Sequence, residues 1–330
     1  MKTLVTGGAG FIGSHLVDAL LARGDEVVVL DNPRTGRREN LPSAAEAPRL
    51  VFHQADVADH QAIRPVFGGV ERVFHLAARA DIVPSIVDPL SYHRSNVDGT
   101  VSVLEACRAA GVKRFLYAAS SSCYGIPDVY PTPETAPARP QYPYALTKYL
   151  GEECVLHWEQ VYQLPAVSLR FFNVYGPRAR TSGTYGAVFG VFLAQKIHGR
   201  PFTVVGDGNQ TRDFTFVSDV VAACLAAADS DLSGVVMNVG SGRPVSVNRL
   251  VELLQGPVVH IPRRPGEPDS THADIARIRK LLGWGPKVSI EEGVKILLAN
   301  IDCWAQATVW TPESIGEATR DWFEYLGKDV

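Results

Sequence analysis

Short apolar runs alternate with longer amphipathic segments through the first half of the chain. The runs are apolar throughout, which is typical of parallel strands that are covered on both faces. They predict strands at residues 3–5, 27–30, 50–52, 73–76, 115–118 and 166–169. Segments with helical periodicity predict helices at residues 12–23, 95–110 and 143–162. This alternation predicts an α/β fold, built on a Rossmann-type doubly wound parallel sheet.

The pattern changes beyond residue 172, where elements become shorter and glycine and proline interrupt them more often. We therefore predict a sheet domain at residues 1–172 and a smaller mixed α/β region at residues 173–330. The motifs described below mark the first as the dinucleotide-binding domain and the second as the substrate-binding region. No flexible linker separates the two regions, so we expect interleaved boundaries and a shared cleft.

A helical extension is predicted at residues 301–330. Thr311 suits an N-cap, Pro312 the first helical position and Gly327 a stop. Four apolar side chains would share one face of a single helix: Ile315, Ala318, Trp322 and Leu326. An amphipathic helix docked on the body is expected, and a contact with a partner or a second subunit is the alternative.

A glycine-rich loop, residues 7–13, follows the first strand and opens the first helix. Its glycines permit a tight turn, the approach of a pyrophosphate at Gly10 and close helix–strand packing at Gly13. Asp31 ends the second strand, where it can bind both ribose hydroxyls and would repel a 2′-phosphate, so the pattern favours NAD over NADP. Three nearby arginines weaken that preference: Arg34, Arg37 and Arg38.

A tyrosine and a lysine share one face of the third predicted helix, because Tyr144 and Lys148 are four residues apart. A neighbouring ammonium and the positive nicotinamide ring of NAD⁺ would lower the pKa of the phenol and make it a usable base. Serines at residues 120–122 follow a strand end, where ligands of open parallel sheets bind. The combination predicts removal of a proton from a substrate hydroxyl.

Five further motifs follow in order, at residues 75–78, 96–100, 170–178, 206–214 and 264–268. With the glycine loop and the Tyr–Lys pair, they resemble the extended short-chain dehydrogenase/reductases over about residues 1–300. Within that family the sequence is similar to the nucleotide-sugar 4-epimerases of the UDP-glucose (UDP-galactose) type. The resemblance implies a tightly bound NAD that is regenerated in each cycle. It also implies a homodimer that is formed through the helices at 95–110 and 143–162.

The resemblance implies site residues by position. The catalytic residues would be Ser120, Tyr144 and Lys148. The cofactor would contact Gly7, Gly10, Phe11, Ile12, Gly13, Asp31, Asn32, Gly36, Asp56, Val57, Leu76, Ala77, Ala78, Asn96, Ala118, Tyr144, Lys148 and Phe171. The nucleotide sugar would contact Ser120, Ser121, Ser122, Tyr144, Asn173, Arg212, Arg264, Glu267 and Thr271. Arginine forks suit a pyrophosphate, whereas surface salt bridging is the alternative role for Arg212 and Arg264.

The stretch after Ser120 bears on the reaction. Related dehydratases and decarboxylases carry acidic residues there, whereas this chain has Ser121 and Ser122, which cannot act as carboxylic acids. The resemblance therefore implies epimerisation without elimination. Tyr144 would take the proton of the 4-hydroxyl while hydride passes from C4 to NAD⁺. The 4-keto sugar would then turn and be reduced on its opposite face.

Two residues bear on which sugar the protein would bind, and they do not single out one sugar. Thr271 is small at a position that limits the pocket in the resembling epimerases, so UDP-GlcNAc and UDP-GalNAc stand beside UDP-Glc and UDP-Gal. Asn173 disfavours UDP-glucuronate, whereas the run at 265–271 favours it. The alternatives are a UDP-glucuronate 4-epimerase, an epimerase or 4-reductase on a CDP- or dTDP-sugar, and a non-enzymatic NAD-binding redox sensor or scaffold.

Composition and charge limit the kinds of binding partner that we expect. The 330 residues carry a net charge of −3 without a block of like charge, so no nucleic-acid partner is expected. No apolar run reaches about 20 residues and the first residues lack a secretory pattern, so no membrane association is expected. The five cysteines are scattered and the histidines lack metal-ligand spacing. These features predict no metal and a cytoplasmic location.

Overall fold

The computed structural model describes residues 1–32, 34–43, 46–179 and 186–327. Its strands in chain order are β1 (Lys2–Thr6), β2 (Glu26–Asp31), β3 (Leu50–Gln54), β4 (Arg72–His75), β5 (Arg114–Ser120), β6 (Ala166–Phe171), β7 (Asn173–Tyr175), β8 (Phe202–Val205), β9 (Thr211–Arg212), β10 (Phe214–Phe216), β11 (Val235–Val239), β12 (Val245–Ser246) and β13 (Val258–Ile261). Seven of them form one parallel sheet in the order β11-β6-β5-β4-β1-β2-β3. The predicted doubly wound sheet is confirmed.

The α-helices cover both faces of this sheet and build the second region. In chain order they are α1 (Phe11–Ala22), α2 (His60–Ile63), α3 (Ile82–Val87), α4 (Pro89–His93), α5 (Gly99–Ala110), α6 (Pro143–Tyr162), α7 (Val188–Ile197), α8 (Val217–Asp229), α9 (Val247–Leu254), α10 (Ala276–Leu282), α11 (Ile290–Ala299), α12 (Pro312–Ala318) and α13 (Arg320–Leu326). The third predicted helix is confirmed at both ends by α6.

The central strands are buried on both faces, as their unbroken apolar runs require. Leu4 and Val5 are adjacent in β1 and point to opposite faces of the sheet. Leu4 packs in one core cluster and Val5 in the other. Covering a parallel sheet on both sides in this way explains why these strands show no polar alternation.

The helix predicted from residue 95 begins earlier in the structure. Helical backbone starts with α4 at Pro89, passes through a π-helical turn over Arg94–Asp98 and continues as α5. The Asp88 carboxylate accepts a hydrogen bond from the Ser91 amide at 3.2 Å, which caps the helix. The predicted start was wrong because this Asp-Pro beginning was overlooked.

The second region is interleaved with the first. Its own core surrounds Tyr175, Phe192, Leu250 and Trp304, beside three two-stranded sheets. However, β11 pairs with β6 at the edge of the main sheet, and α8 packs against α1. The residues after 172 therefore complete one edge and one face of the main sheet as well as forming the smaller region.

The C-terminal extension is two short helices. Thr311 caps α12 in a capping box with Ser314, and Pro312 holds the first position, as predicted. The prediction of a single continuous helix is wrong, because α12 ends at Ala318 and Thr319 separates it from α13. The Thr319 hydroxyl donates to the Ile315 carbonyl oxygen at 2.7 Å. Trp322 in α13 is buried, so the extension docks on the body.

Within the described residues no helix is long and apolar enough to cross a membrane. The same residues contain no group of three or more His, Cys, Asp or Glu side chains that could hold a metal ion. The five cysteines are free thiols, and three of them are buried: Cys107, Cys123 and Cys224.

A buried aspartate ties the second region together. Asp213, between β9 and β10, accepts hydrogen bonds from the amides of Gly242 at 3.0 Å and Ala273 at 2.9 Å. It also accepts from the hydroxyl of Ser241 at 2.6 Å. Because the aspartate side chain is fully buried, its oxygens depend on these donors rather than on water.

We expect Asp213→Ala to lower the free energy of unfolding by about 3 kcal/mol, because it removes the shared acceptor of these donors and leaves the buried Ala273 amide unsatisfied. Urea denaturation measures this change. Asp128→Ala is the matched control, since it removes an exposed ion pair with Arg139 and should cost less than about 1 kcal/mol. Equal losses in the two variants would contradict the role given to Asp213.

Candidate active site

At two glycines of the glycine loop, the packing leaves no room for a side chain. Gly7 has φ +69°, and a Cβ atom on it would lie 2.7 Å from the Ala77 nitrogen. A Cβ atom on Gly13 would collide with the Gly7 carbonyl oxygen. A Cβ atom on Gly10, the N-cap of α1, would approach only one atom, the Gly7 carbonyl oxygen at 3.1 Å. The loop is therefore closed towards the protein and open at Gly10.

The start of α1 supplies donors on the open side of this loop. The first amides of a helix have no hydrogen-bond partner inside the helix. In α1 these are the amides of Phe11, Ile12 and Gly13. These groups and the helix dipole attract phosphate oxygens. The structure thus fits the pyrophosphate of a dinucleotide at the position predicted from the sequence.

Asp31 lies at the carboxyl end of β2, beside the glycine loop. The Ala9 amide donates to its Oδ2 at 2.9 Å. Burial raises the pKa of Asp31 to about 6, although hydrogen bonds from the backbone of Ala9 and Asn32 oppose the rise. Its carboxylate keeps acceptor capacity for the two hydroxyls of a ribose. Gly36 packs against it, since a Cβ atom there would lie 2.9 Å from Oδ2.

The three arginines near Asp31, which weaken the predicted preference for NAD over NADP, differ in their exposure and contacts. Arg34 and Arg37 are exposed. Arg38 lies over the Phe52 ring, 5.3 Å from its centre, and donates to the Pro42 carbonyl oxygen at 3.3 Å. The guanidinium of Arg38 is thus already engaged within the protein.

The remaining predicted cofactor residues follow the carboxyl ends of the strands. They comprise Asp56 and Val57 after β3, Leu76, Ala77 and Ala78 after β4, Ala118 in β5 and Phe171 at the end of β6. Between β1 and β4 the strand order reverses, which opens a crevice at this edge of the sheet. The sequence predictions therefore converge on one crevice.

Asn96 is buried, and the protein uses its side chain. Its Nδ2 donates to the Arg79 carbonyl oxygen and to the Thr147 hydroxyl, both at 3.0 Å. Its Oδ1 accepts from the Arg79 amide at 2.8 Å. Asn96 therefore holds the segment after β4 against α6, which is a positioning role for the crevice.

Ser120, Tyr144 and Lys148 are brought together. Ser120 ends β5, its hydroxyl lies 2.8 Å from that of Ser122, and its side chain is near enough to Tyr144 to lower the pKa of the phenol. The Lys148 Nζ lies 4.2 Å from the centre of the Tyr117 ring. Gly151 makes this approach possible, because a Cβ atom there would collide with the Tyr117 hydroxyl. The side chains of Ser120–Ser122 are small and partly accessible.

Burial dominates the electrostatics of these groups. It raises the pKa of Tyr144 above its ordinary value, and the side chain of Ser120 only partly opposes that rise. Burial lowers the pKa of Lys148 to about 7, and the Glu152 carboxylate opposes that fall. The predicted lowering of the Tyr144 pKa depends on the nicotinamide ring as well as on Lys148, and among the protein's own groups burial outweighs it. A buried ammonium has lost much of its charge at neutral pH.

The sequence analysis missed the ion pair beneath this site. Both carboxylate oxygens of Glu152 lie 3.1 Å from Arg170 Nε, and the Ser168 hydroxyl donates to Oε2 at 2.7 Å. Glu152 lies one turn beyond Lys148, as Lys148 does beyond Tyr144. That repeated four-residue spacing is the signal that could have identified it.

The residues predicted to hold the nucleotide form one cluster. Arg212 donates to Glu267 Oε1 at 2.8 Å, and Arg264 lies 3.8 Å from Glu267 Oε2. Both arginine side chains are largely buried, with 11% and 12% exposed. Surface salt bridging, the alternative role, therefore does not describe them.

Asn173 and Thr271 also meet. The Thr271 hydroxyl donates to Asn173 Oδ1 at 2.8 Å and accepts from the Asp213 amide at 3.0 Å. The two residues that bear on the sugar are therefore linked to each other and to the buried aspartate. His75, expected to pack rather than react, is buried between the hydroxyls of Thr6 and Thr100, and burial lowers its pKa to about 3.

Two aromatic residues at this site were also missed. The Tyr142 and Tyr144 rings stack with centres 6.3 Å apart and planes 9° apart. Trp322, from the extension, lies with its ring centre 6.3 Å from that of Tyr142. Sequence analysis had no signal for this contact, because it joins residues that are remote along the chain.

Comparisons with known proteins agree with one another. A profile of the NAD dependent epimerase/dehydratase family matches residues 3–240. UDP-glucose 4-epimerase of Mycolicibacterium smegmatis is 40% identical over 304 residues, or 89% of this chain and 96% of that protein. The crystal structure of UDP-glucose 4-epimerase from Thermotoga maritima with UDP-glucose has a TM-score of 0.86 and 35% identity, covering 93% and 99% of the two chains. UDP-glucuronic acid 4-epimerase from Bacillus cereus, in complex with UDP-glucuronic acid and NAD, has a TM-score of 0.85 and 32% identity, covering 92% and 99%.

We expect Asp31→Asn to weaken NAD binding about tenfold, because a neutral amide is a poorer acceptor for ribose hydroxyls than a carboxylate. In the unaltered protein, affinity should fall as the pH drops through about 6, where Asp31 takes up a proton. The variant should lack this pH dependence. Calorimetric titration of NAD-stripped protein measures both effects.

The control is Asp18→Asn, which alters an exposed carboxylate of α1 that pairs with Arg178. It should leave NAD affinity unchanged at every pH. If Asp31→Asn keeps full affinity, or follows the same pH dependence as the unaltered protein, Asp31 does not bind the ribose.

Proposed function

The chain belongs to the NAD dependent epimerase/dehydratase family, and from this premise we propose that it interconverts nucleotide sugars that differ in configuration at C4. It is an NAD-dependent nucleotide-sugar 4-epimerase, and UDP-hexoses are the proposed substrates. The observation that carries the proposal is the contact between Ser120 and Tyr144 at the carboxyl end of β5, with serines rather than acids at 121 and 122.

The glycine loop and Asp31 are proposed to hold the cofactor. The open side of Gly10 and the first amides of α1 would bind the pyrophosphate, and Asp31 would bind the adenosine ribose. NAD supplies reversible hydride transfer at C4 of the sugar. The residues of the chain have to orient that carbon and handle the proton of its hydroxyl.

Tyr144 is proposed to take and return the proton of the 4-hydroxyl. Ser120 lies near enough to lower its pKa, so one substrate hydroxyl between the two side chains could accept from the serine while it donates to the tyrosine. The positive nicotinamide ring and the protonated form of Lys148 would both favour the phenolate. These charges have to offset the burial that raises the pKa of Tyr144.

Inversion at C4 also requires that the sugar can turn while the nucleotide stays bound. The cluster of Arg212, Arg264 and Glu267 is proposed to hold the diphosphate and its ribose, because arginine forks bind phosphate oxygens in pairs. The small side chains at Ser121 and Ser122 leave room beside the sugar.

Elimination of water or carbon dioxide is not expected. The related dehydratases and decarboxylases carry acidic residues in the stretch after Ser120, whereas the side chains at 121 and 122 are neutral hydroxyls. The non-enzymatic alternative, a redox sensor or scaffold, gives no role to the Ser120, Tyr144 and Lys148 side chains at this edge of the sheet.

Assembly and location are further proposals. A homodimer through α5 and α6 is proposed, and it is supported by apolar side chains that α6 leaves exposed, namely Leu146, Val161 and Tyr162. The free thiols suit a reducing compartment, so we place the protein in the cytoplasm.

The direct test is incubation of the purified protein with UDP-glucose, UDP-N-acetylglucosamine or UDP-glucuronate without added NAD. Proton NMR distinguishes the C4 epimers, and at least one of the three should reach an equilibrium mixture. If none of the three is converted, or if conversion consumes one NAD for each sugar molecule, the proposal is wrong.

We expect Tyr144→Phe to lower kcat by about 10³-fold or more, because the variant lacks the proposed base. Bound NAD and the midpoint of thermal unfolding should stay unchanged, since the ring is retained. The control Tyr149→Phe alters another tyrosine of α6 and should keep full activity. Substantial activity in Tyr144→Phe would show that another group takes the proton.

The sugar pocket is tested at Thr271. We expect Thr271→Tyr to raise the KM for UDP-N-acetylglucosamine more than that for UDP-glucose, because its bulk would occupy the space of the N-acetyl group. Thr271→Val is the control, since it removes the hydrogen bonds to Asn173 and Asp213 without adding bulk. Equal losses for both sugars in the Tyr variant would show that this position does not select the sugar.

A further inference from the structure

The C-terminal helix α13 bridges two segments that border the candidate site. It packs against α3, which follows the segment after β4. On its other side, the Trp322 indole nitrogen donates to the Pro265 carbonyl oxygen at 2.7 Å. A Cβ atom on Gly266 would lie 4.0 Å from the Leu326 Cβ. The extension therefore holds the segment at 264–267, which carries two of the three residues of the nucleotide cluster.

Trp322 contacts this cluster directly. The guanidinium carbon of Arg264 lies 5.5 Å from the centre of the indole ring, within the range of a cation–π interaction. Trp322 is 3% exposed, so water does not compete for the face of the ring. The same arginine lies 3.8 Å from Glu267, and the two contacts together restrict its guanidinium.

The same indole also reaches the proposed base through one intervening ring. Its centre lies 6.3 Å from that of Tyr142, and Tyr142 stacks in turn on Tyr144. Tyr142 is the N-cap residue of α6, so its position also sets the start of the catalytic helix. One side chain of the extension is thus in contact with both the nucleotide cluster and the support of Tyr144.

We infer that Trp322 is a positioning residue for nucleotide-sugar binding, and that the extension forms part of the substrate site. The inference rests on the proposed function, because it assigns Arg264 to a nucleoside diphosphate. The indole face holds the guanidinium in place before the substrate arrives. An arginine that is already ordered loses less side-chain entropy when it binds the diphosphate.

This role differs from general stabilisation of the fold. Ile315 in α12 is also buried and anchors the extension. Trp322, in contrast, joins the extension to the nucleotide cluster and to Tyr142. A change at Trp322 should therefore alter substrate affinity even when the fold and the cofactor are retained.

The experiment compares three variants as NAD-loaded proteins. Trp322→Leu keeps apolar bulk but removes the aromatic face, and Trp322→Phe restores a face without the indole donor. Phe323→Ala is the matched control, because this neighbouring side chain is 38% exposed on the same helix. Calorimetry gives the Kd of UDP, steady-state kinetics gives KM and kcat, and absorbance gives the NAD content.

For Trp322→Leu we expect the Kd of UDP and the KM of the UDP-sugar to rise about tenfold, with a smaller change in kcat. Trp322→Phe should recover most of the affinity. Phe323→Ala should match the unaltered protein. NAD content should be the same in all four proteins, because the inferred role of Trp322 concerns Arg264 and not the glycine loop or Asp31.

Unchanged UDP affinity in Trp322→Leu would overturn the inference. So would a loss of UDP affinity that only parallels loss of NAD and of folded protein, or a loss that Trp322→Phe does not reverse at all. Failure of the unaltered protein to bind UDP or to convert any nucleotide sugar would instead defeat the proposed function. The two failures are therefore distinguishable.

Discussion

Close packing of backbone against backbone at the carboxyl edge of the sheet is the constraint on which the site depends. Gly7 and Gly13 bring the first strand, the first helix and the segment after β4 together without side chains between them. This packing leaves the helix N-terminus and Asp31 facing the crevice where the strand order reverses. The same edge carries Ser120, so a cofactor bound on the loop would extend towards the reacting groups.

Burial gives the reacting groups their character. Burial disfavours the charged forms of both Tyr144 and Lys148. It raises the pKa of the tyrosine and lowers the pKa of the lysine. Neither group would ionise readily alone, and a positive ring beside the tyrosine would change that balance. On the substrate side the charged cluster of Arg212, Arg264 and Glu267 is also sheltered, and the extension contributes Trp322 to its wall.

The sequence predicted the sheet, the glycine loop and the catalytic helix because each depends on local spacing. It also predicted which distant residues would meet, but only through the resemblance to a family of known fold. The predictions from the sequence failed where tertiary packing determines the structure or the pKa. The pKa of Tyr144 depends on burial, Thr319 divides the extension into two helices, and the contact between Trp322 and Tyr142 leaves no pattern along the chain. The earlier start of α4 at Pro89 and the ion pair at Glu152 were visible as spacing and were overlooked.

The central claim is that C4 is oxidised and reduced again within one protein that keeps its cofactor. Its most direct test is conversion of a UDP-sugar that carries deuterium at C4, in ordinary water and without added NAD. The account predicts that the C4 epimer forms with deuterium still at C4, because the hydride that leaves that carbon returns to it. Replacement of the deuterium by solvent hydrogen would contradict the account, because it would mean that inversion proceeds through removal of a proton from carbon.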